Sequence, residues 1–228
     1  MRLRAGILAV GLATGASCAL SSAARAQELA DFDYENLAFR GFGLEAGYVW
    51  PNKVEPTASY GVRMDLGYLG PGLRVAPSIT YWSSRMKARE VGELEGRLNG
   101  LIARTQPGGP GVPVSLGLIE WSDLALALDA HVVWRVPHGF LTFAGAGASV
   151  HFLNGAGDAI AGTFVEDLLD SVSAGVGLQA GLEVPVTDNL RVYGAGRLEL
   201  LEDLRYGALR GGLQFHFGGA VPGEESLR

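Results

Sequence analysis

One cysteine, Cys18, occurs in 228 residues, and it lies in the N-terminal stretch. No intrachain disulfide can hold this fold, and no Cys-based metal site or thiolate chemistry is expected. Lysine is nearly as scarce, with Lys53 and Lys87 the only two. No later run reaches 18 uninterrupted apolar residues, so a transmembrane helix is not expected. The Gly-x-Ser-x-Gly, His-Glu-x-x-His and phosphate-loop patterns are missing. The GAGAS at 145–149 has no βαβ unit around it and reads as strand packing, not as a nucleotide cradle. A formal charge of −6 leaves no basic face for nucleic acid. Neither a cofactor nor a metal is expected.

What is present begins with an export signal. Arg2 and Arg4 precede an apolar stretch at 5–16, and Ala24-Arg25-Ala26 forms a small-x-small cleavage pattern. Residues 1–26 are therefore expected to be a signal peptide, whose removal leaves a mature chain three charges more acidic. Lipoprotein processing at Cys18 is disfavoured, because Gly15 stands where that pattern usually has Leu. Residues 27–40, QELADFDYENLAFR, read as a periplasmic leader, and 218–228 as a short periplasmic tail.

Between them, side chains alternate with period two. In 171–186 the even positions are Val, Ala, Val, Leu, Ala, Leu, Val, Val, and the odd positions are small or polar. That period is the mark of a strand, and the length suits crossing a bilayer better than an average globular sheet. The same pattern recurs at 41–50, 59–69, 73–86, 118–136, 140–153, 190–200 and 205–217, which makes eight strands. The register of 140–153 stays open, because its Gly and Ala specify a face weakly. Tight turns come after strands two, four and six. Longer connections come after strands one, three and five, and a shorter one after strand seven. In the longest, 87–117, Val91, Leu94, Leu98, Leu101 and Ile102 recur at helical spacing, which predicts a short amphipathic helix. A helical turn is predicted within 162–170. Alternation of tight turns with longer loops is the habit of an up-and-down membrane barrel.

Two orientations of the faces are open. A soluble, lipocalin-like carrier would turn the apolar face to an inner cavity, and a membrane barrel would turn it to lipid. The small residues of the polar face suit a narrow interior, and the lack of lysine argues against a solvated sheet. Tyr48, Trp50, Tyr60, Tyr68, Tyr81, Trp134, Phe215 and Phe217 sit near strand ends, where aromatic girdles belong. The interior would then hold a charge network of Glu45, Arg63, Asp65, Arg74, Asp129, His131, Arg135, Glu183, Arg191, Arg197, Glu199 and Arg210. Buried charges persist when paired, and an eight-stranded barrel has room for side chains only. A filled lumen is expected, with a narrow conducting path as the alternative. For chemistry, one pair is worth naming: Ser149 and His151 share a strand face. A lumen-facing histidine beside a small residue explains it as well, so no enzyme is expected.

The chain resembles the small eight-stranded outer-membrane barrels of Gram-negative bacteria, of the outer membrane protein W and outer membrane protein A transmembrane-domain type. The resemblance covers the signal peptide and about 41–217. It rests on GFGLEAGYVW at 41–50 and on LRGGLQFHF at 209–217, an alternating last strand ending in Phe217. It departs in the residues after Phe217, where that class commonly stops. The resemblance implies an all-β transmembrane barrel in the outer membrane with its termini in the periplasm. It implies a monomer that meets outer-membrane lipid and lipopolysaccharide and is inserted by the barrel-assembly machinery through the last strand. It also implies a structural or surface-interaction role. A narrow channel or lateral-exit transporter for small hydrophobic molecules is the alternative, and a lipid-modifying enzyme a remoter one.

Overall fold

A computed structural model describes residues 37–105 and 113–217; the signal-peptide and tail assignments, most of the leader and the centre of the longest loop lie outside them. The strands are β1 (Gly41–Pro51), β2 (Thr57–Asp65), β3 (Tyr68–Gly70), β4 (Leu73–Arg85), β5 (Glu120–Arg135), β6 (Leu141–Ala156), β7 (Ser171–Thr187), β8 (Leu190–Leu201) and β9 (Arg205–His216). Two helices, α1 (Ala88–Thr105) and α2 (Phe164–Leu169), lie in the connections after β4 and β6. All pairings are antiparallel, in the order β2-β1-β9-β8-β7-β6-β5-β4-β3, and a β2–β4 pairing closes the ring. With β2 and β3 as two parts of one span, the fold is a closed eight-stranded antiparallel up-and-down barrel. Closure removes every sheet edge, which is how a β-structure satisfies its backbone in lipid.

The break between β2 and β3 corrects one expected face. Leu66 N donates to Val75 O and Val75 N donates to Gly67 O, so two residues oppose one. This is a β-bulge. Gly67 supplies its positive φ of 83°, and the Asp65 carboxylate accepts from Gly67 N at 2.7 Å. The extra residue flips the parity beyond it. Tyr68, expected in the outer girdle, is instead buried inside with Val133, Leu141, Phe143 and Ala195.

Elsewhere the apolar parity points outward. On β7, Val172, Val176, Leu178, Leu182 and Val186 are 38–67% exposed, while Glu183 is fully buried. A water-soluble barrel would hide those residues. An apolar outside around a charged inside is the arrangement of a membrane-spanning barrel. The other seven expected girdle residues are all exposed. Tyr48, Trp50, Tyr60 and Tyr81 stand at the loop end, with Tyr60 directly opposite Tyr81. Trp134, Phe215 and Phe217 stand at the turn end.

The register left open at 140–153 resolves in β6 with Leu141, Phe143, Ser149, His151 and Leu153 inward. The end of the leader already belongs to the barrel, since Ala38 N and Arg40 N donate to Leu66 O and Asp65 O. The wall is uneven. β5, β6 and β7 have 16, 16 and 17 residues, against 11 and 12 for β1 and β8. About ten tilted residues cross a bilayer, so the tall strands extend beyond the span at the loop end. There α1 packs Val91 and Leu98 on Leu116, Ile119, Ile160 and Val165. Its Glu95 and Asn99 side chains accept from Leu116 N and Val114 N, fixing the chain that returns to β5. The helix is longer than the short one expected.

Candidate functional site

The interior is layered. An apolar layer with Val49, Trp82, Trp121, Leu153, Leu204 and Tyr206 closes the loop end. The aromatic cluster around Tyr68 and Phe143 lies toward the turn end. Inward-facing charges occupy three groups.

The group nearest the turns is built on Glu183. Its carboxylate accepts from Arg63 at 2.8 Å, from Arg74 at 2.7 and 3.0 Å, and from Arg191 at 3.5 Å. Arg63 also donates to Gln214, which in turn donates to Asp65 at 3.3 Å. The Arg63 guanidinium lies 3.8 Å from the Tyr193 ring centroid, a cation–π stack suited to a delocalised planar cation. His131 contacts Gln179 at 2.5 Å and stacks on Phe143.

Midway, Glu45 accepts from Arg210 at 3.1 Å and from the Tyr193 hydroxyl at 2.9 Å. Nearer the loops, Arg197 grips both oxygens of Asp129 at 2.8 and 2.9 Å and donates to Glu199 at 2.6 Å. One Arg197 nitrogen, Nη1, serves Asp129 and another, Nε, serves Glu199, a division between two carboxylates that the planar guanidinium provides and lysine does not; the two-nitrogen, two-oxygen fork is Arg74 on Glu183.

Eleven of the twelve charged or histidine positions expected inside are thus brought into contacts within the barrel. The correction is Arg135, which shares the inward parity but, as the last residue of β5, stands exposed at the turn instead of inside. Interior partners outside the expected network include Asp123, Ser149, His151, Gln179, Tyr193, Tyr206, Gln214 and His216, the last with Nδ1 4.0 Å from Asp65. Inward parity is the signal that points to them, and for Ser149 and His151 it is masked by the open register of their strand.

Asp123, His151 and Ser149 form a chain. His151 Nδ1 is 2.9 Å from Asp123 Oδ2, and Nε2 is 2.9 Å from Ser149 Oγ. The order is that of a hydrolase triad, but the wiring differs. Glu199 Oε1 accepts the Ser149 hydroxyl and lies 3.3 Å from His151 Nε2. A serine that gives its proton to Glu199 offers His151 a lone pair, so the ring nitrogen donates where a general base would accept. Asp123 and His151 are fully buried and Ser149 nearly so. The cluster ties β5, β6 and β8 together.

No protein-family profile and no curated protein matches the chain. It is similar in structure to Neisserial surface protein A, at 16% identity and a TM-score of 0.46, over 78% of this chain and 96% of that one. A second match is Ail, the attachment invasion locus protein of Yersinia pestis, solved in complex with the heparin analogue sucrose octasulfate: 12% identity, 78% and 99% coverage, TM-score 0.44. A third is the N-terminal β-barrel domain of Pseudomonas aeruginosa OprF, at 12% identity, 78% and 98% coverage and a TM-score of 0.46. Identities and TM-scores this low carry no residue's role from those proteins to this one.

Proposed function

We propose that this chain is an integral outer-membrane β-barrel, of the outer membrane protein A and W kind, with a structural or surface-interaction role and an interior filled by side chains. The observation that carries the reading is the sorting of side chains about one closed wall. Leu, Val and aromatic residues face out, as at Leu44, Leu128 and Leu178, and the paired charges face in. Lipid is the solvent that makes this sorting favourable. The loop end, with α1 and α2, is the extracellular surface in this reading, and the termini lie in the periplasm. Outer-membrane lipid and lipopolysaccharide are its surroundings, and the last strand is its insertion signal. The barrel acts as a monomer, and its contacts with other molecules fall to the loops. The Glu199-blocked serine supports a non-enzymatic role.

Fractionation tests the location: the protein is expected in the carbonate-washed outer membrane, and recovery from the soluble periplasm without detergent refutes the reading. An epitope placed at 106–112 is expected to be accessible on intact cells, and one at the C-terminal end only after permeabilisation. Planar-bilayer recording tests the interior, where steady single-channel currents would refute the filled lumen.

A further inference from the structure

The uneven rim leaves a cavity of about 380 Å³ at the loop end, inside the ~300–1,000 Å³ range of small-molecule sites. β7 pairs with β6 from Ser171 onward but with β8 only from Gly175, because β8 ends at Leu201 and turns back. The top of β7 therefore stands above a low connection, and the cavity lies between that connection and the two helices. Its floor is apolar and buried, with Trp121, Leu153 and Leu204 at 5%, 6% and 1% exposure. At Val172, which faces outward, the cavity reaches the barrel's outer surface.

The rim is charged. Glu90, Glu93, Glu202 and Asp203 line it with Lys53 and Arg97, and Arg89 holds Glu90 at 2.6 Å and Glu93 at 3.9 Å. Arg97 is engaged by Glu93 at 3.8 Å, and Glu202 makes no ion pair among the described residues. The protein also places one cation of its own here. The Lys53 ammonium sits 3.7 Å from Asp203 and 6.0 Å from the Trp121 ring centroid. It shows what a primary amine meets in this cavity: a carboxylate on one side and an aromatic face on the other. Asp203 is 83% exposed, so the internal pair is open to exchange with solvent.

We propose that this cavity is a binding site for a small amphiphilic primary amine. Its apolar body lies on Trp121, Leu153 and Leu204, and its ammonium is taken by Glu202 and Asp203. The site goes beyond the membrane-barrel reading, which stands or falls separately by fractionation.

The test uses the full chain in lipid nanodiscs and isothermal titration with 4-phenylbutylamine, 4-phenylbutanol and 4-phenylbutyrate, with empty nanodiscs as the partition control. Saturable one-to-one binding of the amine is expected, at least tenfold tighter than the alcohol, with no saturable binding of the carboxylate. Glu202→Gln combined with Asp203→Asn lies in an exposed turn and is expected to weaken the amine tenfold or more while heat-modifiable gel mobility stays unchanged. Lys53→Met removes the internal competitor and is expected to tighten the amine. The proposal is overturned if the amine binds no better than the alcohol, if empty nanodiscs reproduce its signal, if the double variant binds it unchanged, or if Lys53→Met weakens it.

Discussion

Glu183→Gln is the substitution that weighs the interior most directly. The side chain is fully buried on β7, and its carboxylate accepts from arginines on β2, β4 and β8. In the strand order β2 and β7 stand four places apart in an eight-span ring, so the Glu183–Arg63 pair reaches across the lumen. The amide keeps the shape and one acceptor but removes the charge. Arg63, Arg74 and Arg191 then face one another with Asp65 as the nearby carboxylate, 3.9 Å from Arg74. Leaving buried charge uncompensated costs ~3–5 kcal/mol, which is roughly a thousandfold in the folding equilibrium near the middle of that range. Urea unfolding of the barrel in lipid vesicles, monitored by heat-modifiable gel mobility, measures the loss. Adding Arg63→Gln to Glu183→Gln should recover part of it, with a coupling of at least about 1 kcal/mol in the double-mutant cycle. An effect below about 0.5 kcal/mol for Glu183→Gln, at the level of an ordinary surface change, would refute the view that this carboxylate holds the lumen together.

Three further contrasts use the same assay. Arg197→Ala strips Asp129 and Glu199 of a buried partner and should cost ~3 kcal/mol or more. Lys53→Ala breaks a pair whose carboxylate is exposed and should cost ~1 kcal/mol or less; equal unfolding midpoints would contradict the interior placement. Leu178→Arg on the lipid face near mid-span should cost ~2–4 kcal/mol, and Val186→Arg beside the turn only ~0–1 kcal/mol; a reversed order would place the membrane elsewhere on the barrel. Gly177→Ala would drive a Cβ into the Arg197 guanidinium, whereas at Gly196 a Cβ meets open space. The first should cost ~1–3 kcal/mol and the second less than about 0.5 kcal/mol. Similar effects at both would mean that the inner face has room to spare.

The eight spans are legible because lipid enforces period two on one face of every strand. The failures have local causes. Through Tyr60, Val62, Met64, Leu66 and Tyr68 the apolar alternation runs without a break, and nothing in it betrays the bulge. The bulge is set by Gly67 and the Asp65 cap, and among the expected girdle residues it reverses Tyr68 alone. In β6 the run Ala144–Ala148 is small on both faces, so the register is fixed by its ends. Leu141 and Phe143 enter the cluster with Tyr68, and His151 reaches Asp123 on β5. A reading of one strand at a time cannot see either partner.

The same limit separates the membership of the interior from its wiring. Parity tells which charges point inward, but which acid meets which base depends in part on strands that are neighbours only across the lumen. Asp129 and Arg197 lie on β5 and β8, and Glu45 meets Tyr193 from β1 to β8. What parity does carry is the space for those pairs. The inward glycines of β7 stand where partner side chains cross: Gly175 under Ser149, His151 and Glu199, and Gly177 under the Arg197 guanidinium. Glycine on this face is therefore the counterpart of the arginines. A narrow barrel can bury long planar cations only if the neighbouring strand gives up its side chains, as β7 does beside Arg197 of β8. The glycine-rich polar face and the scarcity of lysine are then one feature seen twice. A bidentate cation fits a filled lumen, and a flexible one is kept for the loops, where Lys53 and Lys87 stand.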